Sequence, residues 1–441
     1  MGASARAVSR WSRLREVVRT DVRRLLTTGV PHLLAALFLM QGIGILRRIL
    51  LVRMLSLAEM AQMVYVTQIA DLLVVLADLG ICTAVLKFAA EPVSEQRRRQ
   101  LYTAGLLWGG ALAGAVGLLY LLATLTLPLH PDARVRVFMA MVAPYIPLAA
   151  IVRTPLVFMQ ARKEIKRAAR FTTITQVISL VLLVAATYLY GLWGFFVTVT
   201  VAPLSNLILL LTATRTHIEL IRPSRAVLRQ LTGFGFLSVI TNGAHFASAT
   251  ATVVLLEWLT RSDAQQTGPY AVALQIFGGM QVLPMALMNT AFPYLSGLLA
   301  APVRLRARMW ELSLKQTLVM SGVVVAWWLS GWCVIPIVFG AEKAPAYWPS
   351  VVLAVGVLAY SIGAPAGQTL LALGHVRLNL GIAIVKLVLD LGACLVLIPW
   401  CGKMGAAAAL AGGYVASSGL SILVAERVLG RLVRMEGADR G

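Results

Sequence analysis

Two adjacent arginines, Arg47 and Arg48, interrupt the apolar run over residues 33–52. A charge at mid-bilayer costs at least ~2.5–3.5 kcal/mol on insertion scales, so it normally faces water, a cavity or a partner. Guanidinium stays ionised at every relevant pH, and its planar fork matches phosphate or carboxylate oxygens. The chemistry on offer is therefore anion binding. Neighbouring helical positions are about 100° apart, so the two cannot share one narrow face. Either one faces an interior while the other snorkels or also borders it, or the helix ends early and both are interfacial. Arg153, between Pro147 and Pro155, is either a further anion contact or the first basic residue of an interface.

Asp71 and Asp78 are seven residues apart and so lie on one helix face. They read either as charge compensation or as a protonatable switch competing with a bound anion for the arginines. Lys386 and Asp390 are four apart and, by default, neutralise each other. Alternatively, Lys386 joins the anion contacts and Asp390 joins the two aspartates as an ion-coupling group. Asn242, His245 and Ser248 belong to a polar stretch in which His245, Ser248 and Thr252 follow i, i+3, i+7 spacing. Such a stripe lines a hydrated cavity or makes hydrogen bonds between helices. The four cysteines (Cys82, Cys333, Cys394, Cys401) have no metal-ligand spacing, and no cofactor is implied.

The elements that must position these groups are membrane helices. The chain has 441 residues, 59% hydrophobic and 13% charged, with a mean hydropathy of +0.82. A soluble domain cannot cover that much apolar surface. At about 20 apolar residues per crossing, the spacing predicts roughly 12 spans: 30–53, 62–88, 101–127, 135–158, 171–190, 192–213, 233–258, 269–295, 312–334, 349–372, 378–398 and 404–425. Every second gap is basic: Arg97-Arg98-Arg99, Arg162-Lys163, Arg222 with Arg225 and Arg229, and Arg304 with Arg306 and Arg308. Positive charge accumulates on the cytoplasmic side, which places both termini there; the expected location is a bacterial inner membrane. The +21 charge thus reads as topology and contact with anionic lipid, and a nucleic-acid role is excluded. No gap is long enough for a folded domain, so the outer loops offer poor material for an enzyme such as a glycosyltransferase or ligase.

The longest internal gap halves the spans. We expect a basic tail (1–29), an N-lobe (30–213), a linker (214–232), a C-lobe (233–425) and a C-terminal tail (426–441). Six plus six helices facing a central cavity is a transporter pattern. The echo between halves is faint: Tyr65 with Gln68-Ile69 against Tyr270 with Gln275-Ile276. Prolines in spans 4, 6, 8 and 10 are expected to kink them, as static bends or as hinges.

Arg53-Met-Leu-Ser-Leu-Ala-Glu-Met, Asp78-Leu-Gly-Ile, Gly268-Pro-Tyr-Ala-Val-Ala, Ala291-Phe-Pro-Tyr-Leu-Ser and Val338-Phe-Gly-Ala-Glu together resemble polysaccharide-unit flippases of the multidrug/oligosaccharidyl-lipid/polysaccharide exporter superfamily. The resemblance runs nearly the whole chain. It implies a multidrug-and-toxin-extrusion-like all-α fold and a lipid-linked oligosaccharide as substrate. Proton or sodium ion as coupling ion, membrane lipid and polysaccharide polymerase machinery are the partners it implies. Within that superfamily, Gly44-Ile-Leu-Arg47-Arg48 with Arg53 is similar to the first helix of lipid II flippases. There an arginine at the place of Arg47 belongs to a cationic cavity engaging the lipid diphosphate. Lipid II flippases commonly carry an acid where Arg48 stands and have two further helices, and span 8 here has no arginine. The resemblance therefore implies a polyprenyl-diphosphate-linked oligosaccharide flippase, with a multidrug-type antiporter of the same fold as the alternative.

Overall fold

A computed structural model describes residues 30–91, 93–162, 164–214, 224–299 and 301–438. The expected tail over 1–29 and residues 215–223 of the linker lie outside them. The described residues are helical, with no strand among them. The helices are α1 (Val30–Met54), α2 (Leu57–Ala77), α3 (Ile81–Ala90), α4 (Glu95–Thr126), α5 (Ala133–Val142), α6 (Tyr145–Ala161), α7 (Ile165–Thr214), α8 (Arg225–Leu259), α9 (Ala264–Ser296), α10 (Pro302–Val334), α11 (Tyr347–Ala372), α12 (Val376–Cys401) and α13 (Lys403–Ala438). A π-helical turn (Ile335–Phe339) and a 3-10 turn (Ala341–Ala346) join α10 to α11. Ten described segments are long and apolar enough to cross a membrane. One of them, Arg167–Thr212, is folded double at Gly191, and α1 adds another, which makes twelve crossings. The chain is a multi-pass membrane protein.

Two expected spans are broken, each for a local reason. Span 2 divides into α2 and α3 because Leu79 and Gly80 take left-handed φ of 42° and 69°. The Asp78 carboxylate accepts the backbone N–H of Cys82 across the break at 3.3 Å, so a side chain restores part of the lost helix pairing. Gly80 lies against Gly235 of α8, where a Cβ on either would overlap the other's backbone. Span 4 divides into α5 and α6 at Pro144, which lacks the N–H to continue the ladder. Pro155, Pro203 and Pro365 are carried inside their helices.

The faint repeat becomes clear in the two tight helical hairpins. Gly191 (φ 58°, ψ −138°) folds α7 back on itself, and Gly402 (φ 53°, ψ −128°) joins α12 to α13. Three residues beyond each stands another glycine, Gly194 and Gly405, packed on the carbonyl eight residues behind it, Ala186 and Leu397 respectively. Each lobe thus uses the same Gly-x-x-Gly device at its fifth-to-sixth crossing. In lipid, helices are held by close packing and hydrogen bonds and not by hydrophobic expulsion, so such approach points matter.

The lobes meet along α2 and α8. From one end of the molecule to the other, Gly80 touches Gly235, Thr250 Oγ1 donates to the Gln68 carbonyl at 3.0 Å, and His130 Nε2 meets Glu257 at 3.3 Å. The basic gaps gather at the Gly80 end, where Arg97 bonds Gln230 and Arg306 pairs with Glu426. There Glu164 feels burial pushing its carboxyl up, but hydrogen bonds from Arg162 and Arg167 outweigh this and hold it below its ordinary range. The opposite end is closed by three ties between lobes. Lys343, fully buried, donates to the Leu55 carbonyl at 2.5 Å, Gly268 packs on the Leu57 backbone, and His130 holds Glu257.

The hairpin packing gives a direct test. Gly194→Ala and Gly405→Ala should each cost at least ~1–3 kcal/mol through overlap with a backbone carbonyl, seen as a lower unfolding temperature in detergent. Gly412→Ala, whose new methyl meets open space, should be neutral or slightly stabilising.

Candidate functional site

The arginine pair of α1 lies well inside the helix, which runs on to Met54. Their 100° separation sends them to different lobes. Arg48 is half-buried and crosses to α9, where its Nη1 donates to Gln275 Oε1 at 3.1 Å and the Gln275 carbonyl at 3.4 Å. Gly278, one turn along α9, is the floor under that guanidinium, since a Cβ there would collide with it. Arg47 is exposed and turns to the N-lobe wall. The Asp71 carboxylate on α2 feels the charges of Arg47, Arg153 and Arg48, and accepts a hydrogen bond from Tyr145 Oη at 2.8 Å. Residues from α1, α2 and α6 thus converge on one carboxylate near the middle of the bundle.

Asp71 is the fifteenth of the twenty-one residues of α2. Its neighbour in sequence pattern, Asp78, lies about 10 Å further toward the basic end at 1.5 Å per residue. A cavity of about 290 Å³ opens there, at the break in span 2, lined by Asp78, Thr83, Arg153, Asn242 and Phe246 with aliphatic side chains between them. Arg153 faces both this cavity and Asp71.

The C-lobe groups lie elsewhere. Lys386 and Asp390 are 1% and 0% exposed, paired at 2.5 Å. Ser248, also fully buried, accepts from Lys386 at 2.6 Å and donates to Asp390 in a short hydrogen bond. The ammonium lies 4.3 Å from the centre of the Tyr414 ring. Gly413 leaves just enough room for the carboxylate, and a Cβ there would overlap it. Thr252, the last of the polar stripe on α8, is buried and receives Tyr270 Oη at 2.9 Å. The stripe therefore twists from an open face at Asn242 and His245 into the interior of the C-lobe at Ser248 and Thr252. Of the residues singled out from sequence, the structure brings Arg47, Arg48, Arg153, Asp71, Asp78 and Asn242 to the cleft between lobes. Lys386, Asp390 and Ser248 form a separate, sealed cluster.

Tyr145, Gln275, Gly278 and Phe246 were not singled out. Tyr145 stands between Pro144 and Pro147, which is the signal that could have marked it, since a bent helix can open space around a polar side chain. Gly278 carries no local signal, Gln275 figured only in the echo between halves, and the contact of both with Arg48 is found only through the lobe packing. No group of His, Cys, Asp and Glu among the described residues is arranged to hold a metal ion.

The sequence model of the family described as "Polysaccharide biosynthesis protein" matches residues 26–299. The chain belongs to this family. The match takes in the first eight crossings and every residue of the cationic cluster. No curated protein is significantly similar in sequence. Solved structures are similar in fold at low identity. A multidrug resistance MATE family transporter of the MOP superfamily, in its inward-facing conformation, aligns at 11% identity over 89% of this chain and 96% of its own, with a TM-score of 0.71. The lipid II flippase MurJ, in an inward closed conformation, aligns at 10% identity over 89% of this chain and 87% of its own, with a TM-score of 0.73. A point mutant of the Vibrio cholerae MATE transporter VcmN gives 15% identity, 92% and 99% coverage and a TM-score of 0.62. The architecture is two six-helix lobes around a central cavity, the fold of these solved transporters and of the flippase.

Lys386→Met should destabilise the protein by ~3–5 kcal/mol, because it strands a buried carboxylate. Lys386→Met combined with Asp390→Leu should recover most of that loss. Thermal unfolding of the purified variants checks both.

Proposed function

We propose that the chain moves polyprenyl-diphosphate-linked oligosaccharide units from the cytoplasmic to the outer leaflet, for assembly of a surface polysaccharide. The observation that carries this is the convergence of Arg47, Arg48 and Arg153 on the inner walls of the cleft, about one carboxylate, at mid-depth. A diphosphate is a concentrated anion that cannot enter hydrocarbon unaided. Guanidinium groups in a water-poor cleft match its oxygens and offset its lost hydration. Arg47 and Arg48 hold the diphosphate, Arg153 flanks it, and the prenyl tail stays in lipid between the lobes.

The family match and the likeness in fold to a lipid flippase support this reading. So does the basic end, which the positive-inside rule assigns to the cytoplasm of an inner membrane. Loading then occurs from that side, while the Lys343, His130 and Gly268 ties hold the outer end shut. Outward release requires those ties to break and the arginines to be given back to Asp71. Binding of a proton or sodium ion at Asp71 or Asp78 would bias that exchange. Asp390 is already matched by Lys386 and is the least available of the three aspartates.

A multidrug antiporter of the same fold is the second reading, favoured by the likeness to MATE transporters. A cationic drug would meet like charge at the arginine cluster, which weighs against it.

In liposomes loaded with a lipid-linked oligosaccharide, Arg47→Ala and Arg48→Ala should each lower the translocation rate by roughly ten- to a hundred-fold, the loss of one charged hydrogen-bonded contact of ~1.5–3 kcal/mol. Full translocation by both variants would falsify the assignment, and resistance to cationic drugs on overexpression would favour the antiporter. Asp71→Asn removes the competitor of the bound anion. Its expected signature is tighter binding of the lipid diphosphate together with slower turnover, read by equilibrium binding and by the same liposome assay.

A further inference from the structure

The sealed cluster of the C-lobe is built more elaborately than charge neutralisation asks. Lys386 and Asp390 are one turn apart on α12 and could pair on its surface without involving any other helix. Instead both are fully buried, and two further helices are shaped around them. From α8, Ser248 Oγ accepts from the Lys386 ammonium at 2.6 Å and donates to the same Asp390 oxygen that the ammonium meets at 2.5 Å. From α13, the Tyr414 ring lies 4.3 Å from the ammonium, and Gly413 forgoes a side chain so that the carboxylate fits. Stability does not explain such a site, because well-packed apolar residues commonly replace a buried ion pair with no loss or with a gain.

The surroundings of the ammonium are those a small free cation takes: a carboxylate oxygen, a hydroxyl oxygen and an aromatic face. The Tyr414 ring packs on Phe277 and Tyr360, with centroids 5.5 and 5.9 Å away, so its face is held in place. The second Asp390 oxygen has no hydrogen-bond partner. His245, one turn before Ser248 on the open face of α8, feels the Lys386 charge and marks the side from which the cleft comes nearest.

Ser248 is also the point at which the cluster bears on the lobes. α8 carries the C-lobe side of the contacts with Gly80, Gln68 and His130, through Gly235, Thr250 and Glu257. Ser248 lies on the same helix between Gly235 and Thr250. A free ion in the cluster would tie α8 to α12 and α13 only while it was bound. An ammonium attached covalently to α12 ties them at every ion concentration.

We infer that the cluster is a monovalent-cation site which this chain fills with its own ammonium, that of Lys386, in place of a free ion. The C-lobe is thereby kept in a cation-loaded form throughout, with α8 fixed on α12 and α13. Any coupling ion acts elsewhere in the molecule.

The test removes the tether and asks whether a free cation takes its place. Full-length Lys386→Ala and Lys386→Ser are unfolded thermally in detergent with sodium, potassium, ammonium or ethylammonium chloride. Choline chloride, whose cation is too large for the vacated space, matches the ionic strength. Both variants should unfold well below the unaltered protein in choline. With at least one small cation, their unfolding temperature should climb with the logarithm of its concentration. The climb should exceed that of the unaltered protein by about 3 °C or more over roughly a hundred-fold range. Adding Asp390→Asn to Lys386→Ala should abolish it. Three results overturn the inference: a climb no steeper than the unaltered protein's in both variants, a climb that survives Asp390→Asn, or no folded protein from either variant in any of the small cations. The readout uses no lipid substrate, so its failure leaves the flippase reading intact.

Discussion

A charge carried to the middle of a membrane must be answered by another charge, a polar contact or water, and much of this structure follows from how two lobes answer theirs. On α1 the geometry of a helix forces two neighbouring guanidinium groups apart, one toward each lobe. Arg48 is answered across the cleft by Gln275, over a glycine that leaves it room. Arg47 is answered through space by Asp71, itself steadied by Tyr145. The cleft is therefore polar because the charges on its walls are under-matched, with more guanidinium than carboxylate.

The C-lobe solves the same problem in the opposite way. Lys386 and Asp390 are adjacent on one helix face, share Ser248, and are closed in by Tyr414 and Gly413. One oxygen of Asp390 has no hydrogen-bond partner, but it is sealed against Gly413. The two lobes share a hairpin device at Gly191 and Gly402, so the scaffold is repeated, yet its polar content is not. One half displays charge to the cleft and the other buries it. A cargo whose charge is concentrated at one end fits such an asymmetric chamber better than a symmetric one does.

Closure at the end away from the basic loops depends on contacts that are few and specific. A buried lysine on a helix C-terminal carbonyl, a histidine–glutamate bond between lobes and a glycine against a helix start are each contacts between single residues. Hydrophobic burial would not serve this purpose, because lipid competes equally for apolar surface.

Sequence alone determined the crossings and their number, the alternation of basic and non-basic ends, and the presence of an arginine pair inside the first crossing, because hydropathy, the positive-inside bias and the cost of buried charge all act residue by residue. The expected bounds 171–190 and 192–213 also left a single residue between the fifth and sixth crossings, and the structure folds the chain there, at Gly191. The break at Leu79 and Gly80 was not legible, since Asp78-Leu-Gly-Ile reads equally well as uninterrupted apolar helix and only the approach of Gly235 demands it. Nor was the division of the polar residues: Ser248 and Asn242 belong to one stretch, and Lys386 carries the same charge as Arg47. Which of them faces the cleft is set by the rotation of each helix against its neighbours. That rotation is a property of packing between residues more than a hundred positions apart, and it decides which charges are open to a ligand and which are spent on each other.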